Sequence, residues 1–378
     1  MKIKGISKDL VDALVLRTVE LGQGRGSGVL GFCDEDGYIT TASQIIDGGL
    51  KGVPLRKLLI SIAGAEKLSL LELVEALPDN AVLISTRPGK TGLSTDVGSI
   101  SFFNLPLITI GVKGQESAGV GIIYPEPRFF DLATKSEKLR LKTLEAKTMD
   151  EEREILRESF NLDLQYLEVS SELSVVDMPF TTIEEYGKKR KGVRFPRLPV
   201  TSLDEHFANK MVAKSLAVGQ GREVAAIGRI DSNGHVTLVG KIVAGGIGYV
   251  PSRLLASSAV DVASKSLREI YGRLMPENIC IVHTHPGGSG VMHIGDAGAG
   301  PGAWGRPIIA IGHDKDGRIR GATVLEPSDK MFELFIEDED LSYRFFEAET
   351  TQEESEIRNR QFGVAQEFTN LCKEIVLK

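Results

Sequence analysis

A layered α/β fold, laid down twice along the chain, is what this sequence predicts, and three observations predict it. Laid over itself, the first half of the 378-residue chain matches the second: Gly22 falls on Gly219, a shift of 197, and Phe160 on Phe362, a shift of 202. Independent origin of so many aligned turns is implausible, so the chain is two copies of one domain. Within each copy, stretches with helical periodicity alternate with short apolar runs bounded by Gly, Pro and Asp, the pattern of interleaved helices and strands. Finally, the length gives a prior of two or three domains, each large enough to bury a core.

The aligned landmarks fix the order of elements. Gly22-Gln23-Gly24-Arg25 repeats as Gly219-Gln220-Gly221-Arg222, and Val53-Pro54 as Val250-Pro251. Pro78-Asp79-Asn80 repeats as Pro276-Glu277-Asn278, Pro106 and Ile110-Gly111 as Pro307 and Ile311-Gly312, and Glu145-Ala146 as Glu347-Ala348. In the first copy the pattern predicts a helix over 8–19, strands over 28–32 and 38–41, a long helix over 54–76, a motif strand, and a strand over 107–112. The second copy follows as a helix over 204–217, strands over 224–229 and 235–243, a helix over 251–274, and strands over 279–283 and 307–312. Each copy closes on a helix of mixed charge, 138–159 and 352–375, suited to an exposed or interdomain surface. The first copy is read as 1–160, an interdomain linker as 161–202, and the second copy as 203–378. Tyr166-Leu167-Glu168-Val169 in the linker is strand-like and could pack between the copies.

Chemistry concentrates in the second copy. The apolar run Ile279-Cys280-Ile281-Val282 leads into His283-Thr284-His285-Pro286, and Asp296 follows eleven residues after the second histidine. On a strand, residues i and i+2 share a face, so the two imidazoles can close on one metal ion. Two imidazoles and one carboxylate make a three-ligand set with a position left for water, the arrangement of a catalytic zinc. Pro286-Gly287-Gly288-Ser289-Gly290 turns the chain away and leaves the ligands at a strand end.

These residues resemble the JAMM, or MPN-domain, metalloproteases, whose pattern is a Glu on an early strand, then His-x-His-Pro, then Ser-x-x-Asp. Glu223, in Gly221-Arg222-Glu223-Val224-Ala225-Ala226-Ile227-Gly228, stands where that family carries its Glu. The match runs from Gly219 to near Tyr343, and the spacing of His283, His285 and Asp296 is its specific part. The resemblance implies a JAMM-like, cytidine-deaminase-like layered domain, a curved sheet flanked by helices. It implies zinc held by His283, His285 and Asp296, with Glu223 as general base. The activity implied is hydrolysis of an isopeptide or peptide bond at the C-terminus of a ubiquitin-like or sulfur-carrier protein. Inactive MPN domains pair with active ones, so the first copy could contact a substrate tail or a partner.

Two positions depart from the family pattern. His293 stands where the family has Ser, and its imidazole donates to the oxyanion, becomes a further metal ligand, or is a solvent-facing loop histidine with neither role. The stretch Gly295-Asp296-Ala297-Gly298-Ala299-Gly300-Pro301-Gly302-Ala303-Trp304-Gly305 is too rich in glycine to favour a helix. It reads as a loop, either a substrate flap led by Trp304 or an ordered connection. A catalytically silent metal-binding scaffold and a metal-dependent hydrolase of a small substrate are the alternatives to the protease. Nucleotide deaminase chemistry is excluded, because His-x-Glu and Pro-Cys-x-x-Cys are both absent.

The first copy lacks the metal chemistry. Its Ser85-Thr86-Arg87-Pro88-Gly89 aligns with His283 through Gly287, Gly26 aligns with Glu223, and all six histidines lie in the second half. Arg87 could fill the vacant ligand position with a positive charge or simply pack. Asp96 is a gapped counterpart of Asp296. Pro88-Gly89-Lys90-Thr91 lacks the upstream Gly of a phosphate loop.

Composition narrows the class further. Hydrophobic content of 42% without a long apolar run argues against a membrane span, and Met1-Lys2-Ile3-Lys4 leads into no secretory core. A cytoplasmic location is the simplest reading. Cys33, Cys280 and Cys372 are scattered and support neither a disulfide framework nor a thiolate zinc site. A net charge of −7 gives no general attraction to nucleic acid. The basic run from Lys188 to Arg197 between the copies reads as a solvated linker or a contact for an acidic partner.

Overall fold

The computed structural model describes residues 2–50, 52–93, 98–184 and 195–378. Asp96 and the basic residues from Lys188 to Arg194 lie outside the described residues. The chain is mixed α/β with two sheets that curl toward closure.

The first sheet contains β1 (Gly5–Ser7), β2 (Ser27–Cys33), β3 (Tyr38–Ala42), β4 (Ile46–Asp47) and β5 (Ala81–Pro88). It continues with β6 (Leu107–Lys113), β7 (Glu116–Ile123), β8 (Ser170–Glu172), β9 (Ser174–Val176) and β10 (Thr181–Thr182). The second sheet contains β11 (Ser202–Leu203), β12 (Val224–Ile230), β13 (His235–Ala244), β14 (Ile279–Pro286), β15 (Ile308–His313), β16 (Ile319–Leu325), β17 (Lys373–Glu374) and β18 (Val376–Leu377). The order β8-β7-β6-β5-β2-β3-β1-β9 recurs as β17-β16-β15-β14-β12-β13-β11-β18. The internal repeat in sequence is therefore a repeat in topology.

Each sheet separates two apolar layers because successive side chains alternate across it. In the first copy, α1 (Lys8–Leu21) lays Leu10, Leu14 and Val15 on one face, beside Val29, Ile84 and Ile108. The opposite face is covered by α2 (Leu55–Ala63), α3 (Leu70–Glu75), α4 (Gly98–Phe103), α5 (Pro127–Thr143) and α6 (Met149–Glu168). In the second copy, α7 (Glu205–Val218) takes the place of α1. The far face carries α8 (Ser252–Ser257), α9 (Leu267–Glu269), α10 (Ile294–Ala297), α11 (Asp329–Arg344) and α12 (Thr351–Asn370). No helix among the described residues is long and apolar enough to cross a membrane.

Five expectations are corrected here. The single helix expected over 54–76 is two, because Gly64 ends α2 in the left-handed region at φ 63° and Ser69 restarts the chain with a capping box to Glu72. Its counterpart over 251–274 breaks after Ser257 and resumes when Ser266 accepts the Glu269 N–H. The charged helix expected over 138–159 spans the end of α5 and the start of α6, where Thr148 and Glu151 form another capping box. Much of the 161–202 linker belongs to the first copy. Tyr166 through Glu168 finish α6 rather than forming a strand, and β8, β9 and β10 complete the first sheet. The 352–375 helix stops at Asn370, and β17 and β18 follow.

The copies face one another about a pseudo-twofold axis, so their contacts come in reciprocal pairs. Arg25 of the first copy meets Glu347 of the second at 3.4 Å, and Arg222 meets Glu145 at 3.3 Å. Glu339 accepts the N–H groups of Arg56 and Lys57 at the start of α2, and Glu137 accepts those of Arg253 and Leu254 at the start of α8. Each carboxylate satisfies helix donors that lack an intrahelical acceptor. Between the copies Trp304 is 1% exposed, stacked at 4.2 Å on Phe102 of the first copy and at 4.2 Å on Tyr271 of the second. Trp304→Ala should lower stability by about 3–5 kcal/mol, read as a shift in the denaturant midpoint, because it opens a cavity at a junction of two cores. A change below about 1 kcal/mol would mean that the seat collapses around the missing ring.

Candidate metal centre

β14 carries the His-x-His pair because its apolar residues are bound on both sides. It runs antiparallel to β12, with Ala225 opposite His283, and parallel to β15, with His283 beside Ala310. Ile279 and Ile281 point into the core shared with α9 and α10, while Cys280 and Val282 point toward α7. His283 and His285 continue the first of these faces beyond the core. Continuing the register past the Ala225–His283 pair sets Glu223 across from His285 on that same face. Thr284, on the opposite face and fully buried, accepts the Val224 N–H at 3.1 Å and locks the end of β12 to β14.

Asp296 reaches the histidines because the turn after Pro286 is held tightly. The Gly287 N–H donates to the His313 carbonyl at 2.7 Å, and Thr323 Oγ1 donates to the Gly290 carbonyl at 2.6 Å. Gly290 has φ 83°, and a Cβ on Gly312 would come within 2.2 Å of the Gly290 nitrogen, so both positions require glycine. Met292 is fully buried and anchors the segment before α10. Asp296, in the first turn of α10, accepts the His293 N–H on Oδ2 at 3.0 Å and turns Oδ1 to the histidines.

The three predicted ligands converge. His283 Nε2 and His285 Nε2 are 2.8 Å apart, and Asp296 Oδ1 lies 3.1 Å from the first and 3.4 Å from the second. They are the group of His, Cys, Asp and Glu among the described residues whose donor atoms all lie within 4.8 Å of one another. The His283 Nδ1–H donates to the Ile309 carbonyl at 2.9 Å, which leaves the Nε2 lone pair directed at the other two groups. Two imidazole lone pairs and a carboxylate oxygen facing one another repel unless a cation lies among them. The donor set therefore fits a divalent metal of the borderline class that zinc represents.

Electrostatics follow this crowding. Burial opposes ionisation of Asp296, yet with no metal between them His283 and His285 donate to it when protonated and hold its carboxyl far below the usual carboxylate range. Burial likewise disfavours a charged His285, but the Asp296 carboxylate and then Glu223 raise its pKa on balance. Glu223 is raised by burial, against the pull of His283 and His285, and its carboxyl has no hydrogen-bond partner among the described residues. A half-buried, unengaged carboxyl beside a cation site is placed to exchange protons.

His293 stands apart from this group. Its side chain is 69% exposed, and its Nδ1 is 3.2 Å from Asp296 Oδ2, the oxygen turned away from the other histidines. The glycine-rich stretch is not a flap. Ile294 to Ala297 form α10, Gly298–Gly302 continue as a π-helical turn, and Trp304 is buried between the copies rather than over the site. Close packing of Gly300 on Ile308 and of Gly302 on Phe335 leaves no room for a Cβ, so these glycines serve helix packing. The supporting groups Ile309, Thr284 and Thr323 have no sequence signal, since two of them act through ordinary strand positions and one through a backbone carbonyl.

The first copy repeats the frame without the ligands. Ser85 pairs with Gly28 as His283 pairs with Ala225, and Thr86 Oγ1 accepts the Ser27 N–H at 2.8 Å as Thr284 accepts that of Val224. Arg87 occupies the place of His285, and Gly26 that of Glu223. No family model, no curated protein and no solved structure matches this chain.

Proposed function

We propose that the second copy is a zinc-dependent hydrolase of JAMM type, cleaving an isopeptide or peptide bond at the C-terminus of a ubiquitin-like or sulfur-carrier protein. The observation that carries this reading is the convergence of His283, His285 and Asp296 with Glu223 on the same face of the sheet. When bound there, zinc supplies a Lewis acid that polarises a carbonyl and lowers the pKa of water to about 7. His283, His285 and Asp296 hold the ion, and the Ile309 carbonyl keeps His283 in the tautomer that can do so. Glu223 takes a proton from the attacking water and returns it to the leaving amine. His293, at the open side of Asp296, donates an N–H to the developing oxyanion. The first copy supports this site from across the pseudo-twofold interface and takes no part in the chemistry.

Purified chain loaded with one zinc should cleave linear fusions of ubiquitin-like proteins, stop on chelation and recover with added zinc. One zinc per chain with no cleavage of any fusion would sink the protease reading. His293→Ala should leave zinc at one per chain and lower kcat by about 10²-fold. Loss of zinc in that variant, measured by elemental mass spectrometry, would make His293 a ligand instead.

A further inference from the structure

The two sheets share one strand order and differ at one edge. In the first copy β10 lies on the outer edge of β3, parallel to it, with Thr181 beside Thr41 and Thr182 beside Ala42. The Ile183 N–H donates to the Ala42 carbonyl at 2.9 Å. Phe180 packs on the core beneath α1 and Ile183 on the core of the opposite face, while Gln44 Nε2 donates to Glu184 Oε1 at 3.3 Å. Thr41 and Ala42 lie opposite Phe32 and Gly31, and in the second copy Thr237 and Leu238 lie opposite the corresponding Arg229 and Gly228.

In the second copy that edge is bare among the described residues. β11 pairs with β13 at His235 and Val236 and goes no further, and Thr237 and Leu238 are paired with β12 alone. Leu238 is half-buried and packed in part against the core beneath α7, and Thr237 is exposed. A strand edge with unpaired backbone groups and apolar side chains is a template for another strand. Its direction also matters. Val224 pairs with Ala244, and the Gly245 N–H donates to the Glu223 carbonyl at 2.8 Å, so β13 ends where Glu223 begins. A segment parallel to β13 runs from N to C toward Glu223 and the His283, His285 and Asp296 group.

We propose that the outer edge of β13 at Thr237 and Leu238 receives an extended peptide segment by parallel strand addition. The segment carries an apolar or β-branched residue at the place of Ile183. That this segment is the substrate's own chain rests on the hydrolase reading; the strand addition does not.

The first copy supplies the probe. β9 corresponds to β18, and Val176 to Lys378 at the shift of 202, so residues 177–184 appended after Lys378 of the full chain reproduce the first copy's spacing. Presented in cis, the segment acts at an effective concentration on the order of millimolar. Amide hydrogen exchange in fragments covering 237–244 should slow by about tenfold or more relative to the parent chain. Proline at the appended place of Ile183 removes the N–H and should return exchange to the parent rate. Unchanged exchange in the fusion overturns the proposal. A parent chain that is dimeric by light scattering, with 237–244 already protected, also overturns it, because the edge then belongs to a second copy. Protection without cleavage by the zinc-loaded parent keeps the edge and removes the hydrolase reading, and cleavage without protection does the reverse.

Discussion

Replacing His283 and His285 together by alanine should leave the chain unable to bind zinc and without the proposed metal-dependent cleavage, while the fold survives. The loss is complete because Asp296 Oδ1 alone, 12% exposed at its side chain, cannot hold a borderline cation against water. The fold survives because both imidazoles lie at a strand end, past the residues that build the core. The first copy is an internal control: it forms the same strand, with the same pairing to its neighbours, around Ser85 and Arg87. The checking measurement is elemental mass spectrometry on parent and double variant, with circular dichroism to confirm folding. Zinc retained at one per chain in the variant would place the metal elsewhere and remove the site described above.

Glu223→Gln separates chemistry from metal binding. The amide is isosteric and cannot accept the proton of the attacking water, so turnover should fall by about 10²–10⁴-fold, the range that general-base catalysis spans. Zinc should stay at one per chain, since Glu223 lies across the strand from His285 and outside the converging group. Steady-state rates and metal content measured on one preparation make the test. Activity within a few-fold of the parent would exclude Glu223 as the base, and loss of zinc would make it a ligand.

Much of this site is legible in the sequence. The i, i+2 histidines at the end of an apolar strand and an aspartate eleven residues on converge as their spacing requires. Caps such as Ser69-x-x-Glu72 and Thr148-x-x-Glu151 were legible too, and they mark the helix starts where a continuous helical pattern misleads. The glycine-rich stretch after Asp296 misleads for a different reason. Glycine lowers helix propensity, but Gly300 and Gly302 pack against Ile308 and Phe335, and that tertiary gain outweighs a cost of about 1 kcal/mol per residue. The supposed linker misleads because strands of two or three residues are too short to show a period.

The sequence by itself determined that the chain is a duplication and that only its second copy carries the His283, His285 and Asp296 set. Both are statements about residue identity and spacing, which the chain states directly. Only the packed molecule shows that Trp304 seals the two copies instead of covering the site, that Glu137 and Glu339 each cap a helix of the other copy, and that, among the described residues, one strand edge is filled while its twin is bare. These contacts join residues more than a hundred positions apart, and they are set by which surfaces meet once each copy has folded. Local periodicity encodes which face of an element is buried; it does not encode what that face is buried against.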